Sequence, residues 1–406
     1  MKILYHHRTR AEDAQGIHIA ELVKAFRELG HQVNIVSLVG RNVAADGKDT
    51  ISWHQHFQRL PNWLYEIIAL SYNIYGLWLL ACSIKKEKPD LIYERYALNT
   101  FCGIWASRYF RIPLVLEVNA PLYYEQVKLG KLTFKAVTKF LERWVCSNAT
   151  ATITVSSSMK EILVQEGVLS KQITVMPNGI DPALFNPEIS GQAVRNRYDL
   201  GAKIVIGFVG WFRPWHGLEA LLEILREKGF EPDKSHLLLV GDGPAYADLY
   251  EYAKRHALLS AVTFTGAIRR RDIPEYIAAM DIAVQPSAPE YACPMKIIEY
   301  MGMGKCIVAP NQPNIREIIA DNVNGYLFET GNRHSLQRIL LRLIADPQLR
   351  NATGKNALKT IFDRGFLWRS NASKVVSLVG GNPGCINSAL PGCDSSTNLA
   401  HGQSQD

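Results

Sequence analysis

The run Pro177-Asn178-Gly179-Ile180-Asp181-Pro182, followed by Lys203-Ile204-Val205-Ile206-Gly207-Phe208-Val209-Gly210, decides the fold. Two prolines, an asparagine and a glycine within six residues stop the alternation that precedes them. The second run is continuously apolar, as expected of a strand covered on both faces of a parallel sheet. A pattern that stops at 182 and restarts at 203 divides the chain into two units.

Upstream, residues 2–5 read as a buried strand. An amphipathic helix follows from about Gly16 to Gly30, with Ile17, Leu22, Phe26 and Leu29 near helical spacing and Gly30 suited to the position just past its end. Further strands are predicted over 33–38, 91–93, 114–118, 151–155 and 173–176. Downstream of 203–210 the same reading gives strands at 237–240, 262–265, 282–284 and 307–309. Strands separated by helices with short connections predict an α/β chain of two Rossmann-like doubly wound parallel sheets. The expected division is a first domain over 1–182, a linker over 183–200 and a second domain over 201–365. A C-terminal helix over 366–379 is expected to pack back toward the first domain, and 380–406, rich in Asn, Ser, Gly and Gln, reads as a disordered tail.

The bulk properties agree. A length of 406 residues fits two domains of about 150–200 residues each. A content of 47% hydrophobic and 20% charged residues excludes a disordered or fibrous chain. The net charge of +7 suits anionic substrates or lipid head groups and does not call for nucleic acid. Seven scattered cysteines with no Cys-x-x-Cys pair suggest neither a disulfide framework nor a zinc site, hence a reducing compartment. The N-terminus turns polar too soon for a signal peptide, so a cytoplasmic chain is expected and the sequon at Asn148 carries no weight.

Two stretches raise the question of a membrane. Residues 63–81 are almost continuously apolar, but Glu66, Ser71 and Asn73 argue against a span. They read as a buried helix between strands or as a helix lying on a membrane surface. Lys128, Lys131, Lys135 and Lys139 fall at helical spacing, on one face if the helix is continuous. That face is either simply solvated or a peripheral contact for an anionic, cytoplasmic leaflet.

Four clusters have the chemistry of a phosphate or sugar site. Gly16 opens the first helix, where backbone N–H groups and the helix dipole favour an anion. It is not part of a Gly-x-Gly-x-x-Gly fingerprint, which disfavours a nicotinamide cofactor. Arg213, His216 and Gly217 follow the strand 203–210; a guanidinium beside a glycine-initiated helix suits a diphosphate, against the reading of a solvated loop. Gly241 and Gly243 form a tight turn after another buried strand, beneath a nucleotide or merely joining strand to helix. In Glu290-Tyr291-Ala292-Cys293-Pro294-Met295-Lys296-Ile297-Ile298-Glu299, Pro294 is placed near the first helical position, leaving the N–H groups of Met295 and Lys296 free. Glu299 sits in an apolar run, where an unpartnered carboxylate is costly, so it reads as a ligand for sugar hydroxyls rather than a local cap. No Asp-x-Asp occurs, nor a carboxylate and histidine set at metal-ligand spacing, so no obligate metal is expected.

Taken in order, these clusters resemble the retaining glycosyltransferases of family 4, which have the two-domain GT-B fold. Glu21-Leu22 through Leu29-Gly30-His31, Pro177 to Asp181, Gly217-Leu218, Val240 to Pro244, Phe264-Thr265-Gly266, Asp281 to Ser287 and Lys296 to Lys305 complete the likeness over roughly 1–375. The resemblance implies a nucleoside-diphosphate sugar held mainly by the second domain and a glycan, lipid-linked or small-molecule acceptor held mainly by the first. It implies that Glu299 binds ribose hydroxyls, that the amides near Met295 and Lys296 meet phosphate, that Ala267 and Ile268 meet the base, and that Gly16 lies against the phosphate or sugar. Arg213 and His216 would stabilise the leaving group, Glu117 or Asn119 would orient the acceptor, and Glu290 is the counterpart of a sugar-binding glutamate. The chain departs from the family in three places. Trp211 and His216 stand where an arginine and a lysine are common. Glu290 and Glu299 have eight residues between them instead of seven, and Glu117-Val118-Asn119 replaces a strand-end histidine. A nucleotide-sugar epimerase or a non-catalytic nucleotide-sugar-binding protein would share the fold.

Overall fold

The computed structural model describes residues 1–9, 14–37, 61–227 and 229–380. The first unit runs β1 (Lys2–His7), α1 (Ala14–Glu28), β2 (Gln32–Ser37), α2 (Asn62–Glu87), β3 (Leu91–Arg95) and α3 (Cys102–Phe110). It continues with β4 (Leu114–Val118), α4 (Leu122–Lys128), α5 (Lys135–Asn148), β5 (Ala151–Thr154), α6 (Ser157–Gln165) and β6 (Ile173–Val175). Its six parallel strands lie in the order β2-β1-β3-β4-β5-β6.

The second unit opens with α7 (Gln192–Arg197), β7 (Ile204–Val209), α8 (Glu219–Ile224), β8 (Ser235–Val240), α9 (Tyr246–Arg255), β9 (Val262–Phe264) and α10 (Ile273–Ala278). Then come β10 (Ile282–Val284), α11 (Met295–Gly302), β11 (Cys306–Pro310), α12 (Pro313–Arg316) and β12 (Tyr326–Phe328). The helices α13 (Arg333–Ala345), α14 (Pro347–Asp363) and α15 (Trp368–Gly380) end the described chain. The second sheet is ordered β12-β11-β10-β7-β8-β9, again parallel throughout.

Every predicted strand is present, with β12 added after the turn at Asn322 to Gly325. The strands lack polar alternation because helices cover both faces: Leu114, Val115, Leu116 and Val118 are all buried. Gly30 ends α1 with φ +81°, the left-handed conformation that a side chain resists.

Residues 183–200 are not a linker. Phe185, Val194 and Leu200 are buried in the same core as β7 and α11, and the polar residues among them face outward. The proposed helical face of lysines is also broken. Lys128 ends α4, Lys131 lies in the turn after it and Lys135 begins α5. Residues 63–81 do lie in a helix, yet its outward face is open to solvent, unlike a helix buried between strands. The five described cysteines are free thiols, while Cys385, Cys393 and all of the expected tail over 380–406 but Gly380, which ends α15, fall outside the described residues.

The returning end of the chain ties the two units together. Ile180, leaving the first unit, bridges Leu367 on the returning chain, with Ile180 N–H donating to the Phe366 carbonyl at 3.0 Å and Trp368 N–H to the Ile180 carbonyl at 3.2 Å. A Cβ on Gly179 would collide with the Trp368 backbone nitrogen, so the glycine serves this crossing. Beyond it, Trp368, Ala372 and Val375 of α15 join Leu22 and Phe26 of α1 in the core of the first unit. Replacing Trp368 by Ala should therefore destabilise the first unit by about 3–5 kcal/mol, the usual cost of emptying a buried aromatic site. Denaturant unfolding of the variant checks this; a loss below the range of a surface substitution would mean that α15 contributes little to that core.

Candidate active site

In a doubly wound sheet a crevice opens beyond the C-terminal strand ends where the strand order reverses. In the second sheet that point lies between β7 and β10. The loop after β7 carries Arg213 and His216, and the loop after β10 leads into α11.

Residues Pro214–His216 form a single 3-10 turn, and Gly217 follows with φ +65°. Gly217 therefore closes a turn and does not open a long helix. His216 Nδ1 accepts from the Arg213 N–H at 3.4 Å, and its Nε2 lies 3.4 Å from Lys296 Nζ. Burial, and then the Lys296 charge, push the His216 imidazole down to about 3, so it is neutral near pH 7. The Lys296 ammonium sits 4.2 Å from the Phe208 ring centroid. Burial pushes its pKa down to about 7, against the pull of Glu299. The Arg213 guanidinium lies 5.2 Å from the Trp215 ring centroid. Among the described residues, no carboxylate comes within ion-pair distance of Lys296. Sequence had offered the Lys296 amide alone; the structure brings its side chain into the cluster.

Pro294 is the flanking residue before α11, one place earlier than predicted, and Met295 is the first residue in the helix. Glu299 is buried in the middle of α11, and its Oε1 pairs with Arg270 Nη1 at 2.7 Å. Arg270 stands in the loop after β9, two residues past Ile268, and its guanidinium lies 4.7 Å from the Phe185 ring centroid. Ile268 packs against the core, whereas Ala267 is exposed. Glu290 is exposed in the loop before α11.

Gly241 and Gly243 have a packing cause. Their φ values are +131° and +148°, and a Cβ on either would strike the loop after β7: the Gly210 carbonyl oxygen in one case, the Phe212 backbone in the other. These glycines admit a neighbouring loop, held by Phe212 N–H donating to the Asp242 carbonyl at 2.6 Å.

The first unit presents its own strand ends to the same region. Tyr291 in the loop before α11 donates its hydroxyl to Glu125 of α4, and its carbonyl accepts from Ser156 Oγ at 2.7 Å. Asn178 Nδ2 donates to the Cys293 carbonyl at 2.6 Å, tying that loop to the end of β6. At the end of β4, Glu117 is buried and saturated. Tyr93 OH donates to it at 2.7 Å and Arg95 Nη1 at 3.0 Å, His18 Nε2 lies 3.2 Å away, and Asn119 Nδ2 donates as well. Burial opposes the charge on Glu117, but His18, Arg95, Asn119 and Tyr93 together outweigh it and keep the carboxyl below its ordinary range. Burial pushes His18 down to about 4 despite Glu117, which leaves Arg95 as the standing cation beside the carboxylate near pH 7. Glu117 thus has no free oxygen with which to orient an acceptor; it positions Asn119 and His18. Gly16, in the first turn of α1, lies two residues before His18. Sequence reading missed His18, Arg95 and Arg270, because their partners lie on other strands and helices.

A model of the glycosyl transferases group 1 family matches residues 193–360, and a model of glycosyltransferase family 4 matches 15–184. The chain is a group 1 glycosyltransferase with the GT-B fold. The UDP-Gal:alpha-D-GlcNAc-diphosphoundecaprenol alpha-1,3-galactosyltransferase of Escherichia coli is 28% identical over 77% of this chain and 80% of its own. The alpha-monoglucosyldiacylglycerol synthase of Streptococcus pneumoniae is 25% identical over 70% of this chain and 65% of its own. Among solved structures, Anabaena Alr3699/HepE in complex with UDP superposes with a TM-score of 0.71 at 20% identity, over 94% of this chain and all of that one. As a group 1 glycosyltransferase the protein is a nucleotide-sugar-dependent enzyme, and the switch-point crevice is its candidate donor site.

The state of Lys296 has a measurable consequence. A lysine whose pKa falls to about 7 on folding binds fewer protons than in the unfolded chain between about pH 7 and pH 10. Stability then rises with pH through that window, and the burden of the buried charge is fully present below it. Lys296→Met should raise the melting temperature at pH 6, with the gain shrinking toward pH 10. A gain that is flat with pH, or a loss at pH 6, would contradict a depressed Lys296.

Proposed function

We propose that this glycosyltransferase moves a hexosyl group from a nucleoside-diphosphate sugar to a hydroxyl of a lipid-linked glycan or glycolipid, with retention of anomeric configuration. The pathway would be synthesis of a cell-surface polysaccharide or glycolipid. The observation that carries this reading is the meeting at the switch point of Lys296, on the first turn of α11, and His216, in the loop that also carries Arg213. As the bond between the anomeric carbon and the phosphate oxygen breaks, negative charge grows on the diphosphate. A preorganised donor there is worth about 3–4 kcal/mol. Lys296 supplies a cation, Arg213 a forked donor and α11 its free N–H groups.

Among the described residues, none of the candidate carboxylates is placed to attack the sugar: Glu117 is saturated, Glu299 is paired and Glu290 is exposed. Direct transfer on one face fits better. The acceptor oxygen bonds to the anomeric carbon as the phosphate oxygen leaves, and that oxygen takes the acceptor proton. Asn119, half-buried and with only its Nδ2 engaged among the described residues, is the side chain suited to hold the acceptor hydroxyl, while His18, held between Glu117 and Arg95, helps to fix Glu117. The lipid-linked acceptor is supported by the names of the two relatives above, one acting on a diphosphoundecaprenol sugar and one forming a diacylglycerol glycolipid.

Incubating the full chain with UDP-galactose, UDP-glucose or GDP-mannose and a GlcNAc-diphosphate lipid tests the reaction, with the product's anomeric configuration read by NMR. An inverted product would sink the retaining mechanism.

Two further outcomes follow from the donor side. If Glu299 holds the ribose through the oxygen that pairs with Arg270, Arg270 must first release it. Glu299→Ala should then weaken nucleotide binding by about 2–3 kcal/mol, the scale of charge-assisted hydrogen bonds, whereas Arg270→Ala should tighten it; calorimetric titration with UDP distinguishes the two. Equal weakening by both changes would make Arg270 a ligand contact instead. Because side-chain cations and helix N–H groups neutralise the leaving group, transfer should continue in excess EDTA. Activity lost to EDTA and restored by magnesium or manganese would overturn that assignment.

A further inference from the structure

We infer that the outward face of α2, together with the chain from Lys128 to Val137, is a docking surface for an anionic lipid bilayer. This surface is separate from the donor crevice and stands whatever the sugar chemistry proves to be. Trp63, Ile67, Ser71, Ile74, Trp78 and Cys82 recur every three or four residues, so they form one stripe along the helix. The stripe is open to solvent, with Trp63 48% exposed, Ile74 75% and Trp78 60%, and Tyr65, Ile68 and Tyr75 border it. A soluble chain rarely leaves so continuous an apolar face uncovered unless something binds there.

The opposite face is fixed to the domain. Both Glu66 oxygens accept backbone N–H groups, from Thr133 at 2.5 Å and Phe134 at 3.0 Å. Asn73 accepts from Phe101 and Cys102 at 2.7 and 2.9 Å and donates to the Asn99 carbonyl at 2.8 Å. A helix crossing a bilayer would have to lose all of these contacts and bury Glu66 in hydrocarbon. Lying flat keeps them.

The Glu66 contacts also bring the turn before α5 alongside the helix. Asn62 Nδ2 adds a bond to the Gly130 carbonyl at 3.3 Å. Exposed Leu129, Phe134 and Val137 thereby extend the apolar surface, and exposed Lys128, Lys131 and Lys135 frame it at one end. Lys85 and Lys88 frame the other end of the helix. Lys139 is excluded, since it pairs with Glu166 at 2.9 Å. Glu66 is the one acidic residue over 61–86 and is buried, 126–141 has none, and Glu87 pairs with Lys86 at 3.5 Å, so the described residues of this face carry an excess of positive charge toward an anionic head group. Tryptophan and tyrosine rings with lysines at both ends match the layered polarity of a membrane interface. A protein partner fits less well, because the core of a protein interface is depleted of lysine.

Flotation of the full chain with phosphatidylcholine vesicles, with and without phosphatidylglycerol, tests the assignment. The protein should float with the anionic vesicles and be released as salt is raised. Lys128→Glu, Lys131→Glu and Lys135→Glu should each weaken binding about fivefold or more, given about 1 kcal/mol per basic residue near an anionic surface. Ile74→Asp combined with Trp78→Asp should abolish binding even at low salt. Should that pair fail to melt cooperatively, the conservative changes Trp63→Phe and Trp78→Phe serve instead: brominated acyl chains should quench wild-type tryptophan fluorescence, and the two changes should remove that quenching. The proposal falls if the wild-type chain does not float with anionic vesicles, or if the aspartate pair floats like wild type. It falls equally if wild type is a vesicle-indifferent dimer that the aspartate pair dissociates, because the face would then be a self-interface.

Discussion

The passage of the chain between its two units depends on one close contact, the backbone of Gly179 against that of Trp368. Only a residue without a Cβ lets the outgoing strand of chain at Ile180 pair with the returning one at Leu367. One residue earlier, Asn178 grips the Cys293 carbonyl and so fixes where α11 begins. One residue later on the returning side, Trp368 enters the core of the first unit in a T-shaped contact with His18, ring centroids 4.7 Å apart. The position of Lys296 relative to the first sheet and the orientation of His18 are thus set from the same crossing.

The two sides of the crevice have opposite electrostatic character. Toward the second sheet, Lys296 and the neutral His216 meet beside helix N–H groups, and among the described residues no carboxylate pairs with them. Toward the first, the charge of Glu117 is enclosed by Arg95, Tyr93, His18 and Asn119. An anion gains from the former and finds nothing to displace in the latter. A neutral hydroxyl, by contrast, needs only an oriented donor or acceptor, which the Asn119 amide can supply. The arrangement discriminates between the two substrates by charge before any shape is considered.

Much of the fold was legible in the amino-acid sequence because strands covered on both faces write themselves as unbroken apolar runs, as 204–209 and 114–118 do. Glu299 stood out for the converse reason, a carboxylate where the run should have been apolar, and it does have a partner; that the partner is Arg270, which arrives from another loop, could not be read. Gly241 and Gly243 misled because a glycine turn looks the same whether it admits a ligand or the backbone of Phe212. Glu117 misled because saturation of a carboxylate is decided across strands, by Tyr93 and Arg95, and leaves no local signature. Residues 183–200 looked like a linker since their fully buried anchors, Phe185, Val194 and Leu200, are widely spaced. The open face of α2 was hidden by composition: a helix apolar on nearly every side gives no period from which to tell its inner face from its outer one.

The placement of α15 bears on the order in which the protein can be made. The first unit leaves the ribosome first, yet one of its helices is the last described element of the chain. Until that helix emerges, Leu22 and Phe26 of α1 lack the cover that Trp368, Ala372 and Val375 provide. Synthesis proceeds at about 5–20 residues per second, so the incomplete domain waits tens of seconds while the whole second unit is translated. Its apolar flank is available to chaperones during that interval. The nascent chain reaches its final architecture from both ends inward, with the second unit folding as an insertion within a first that is not yet closed.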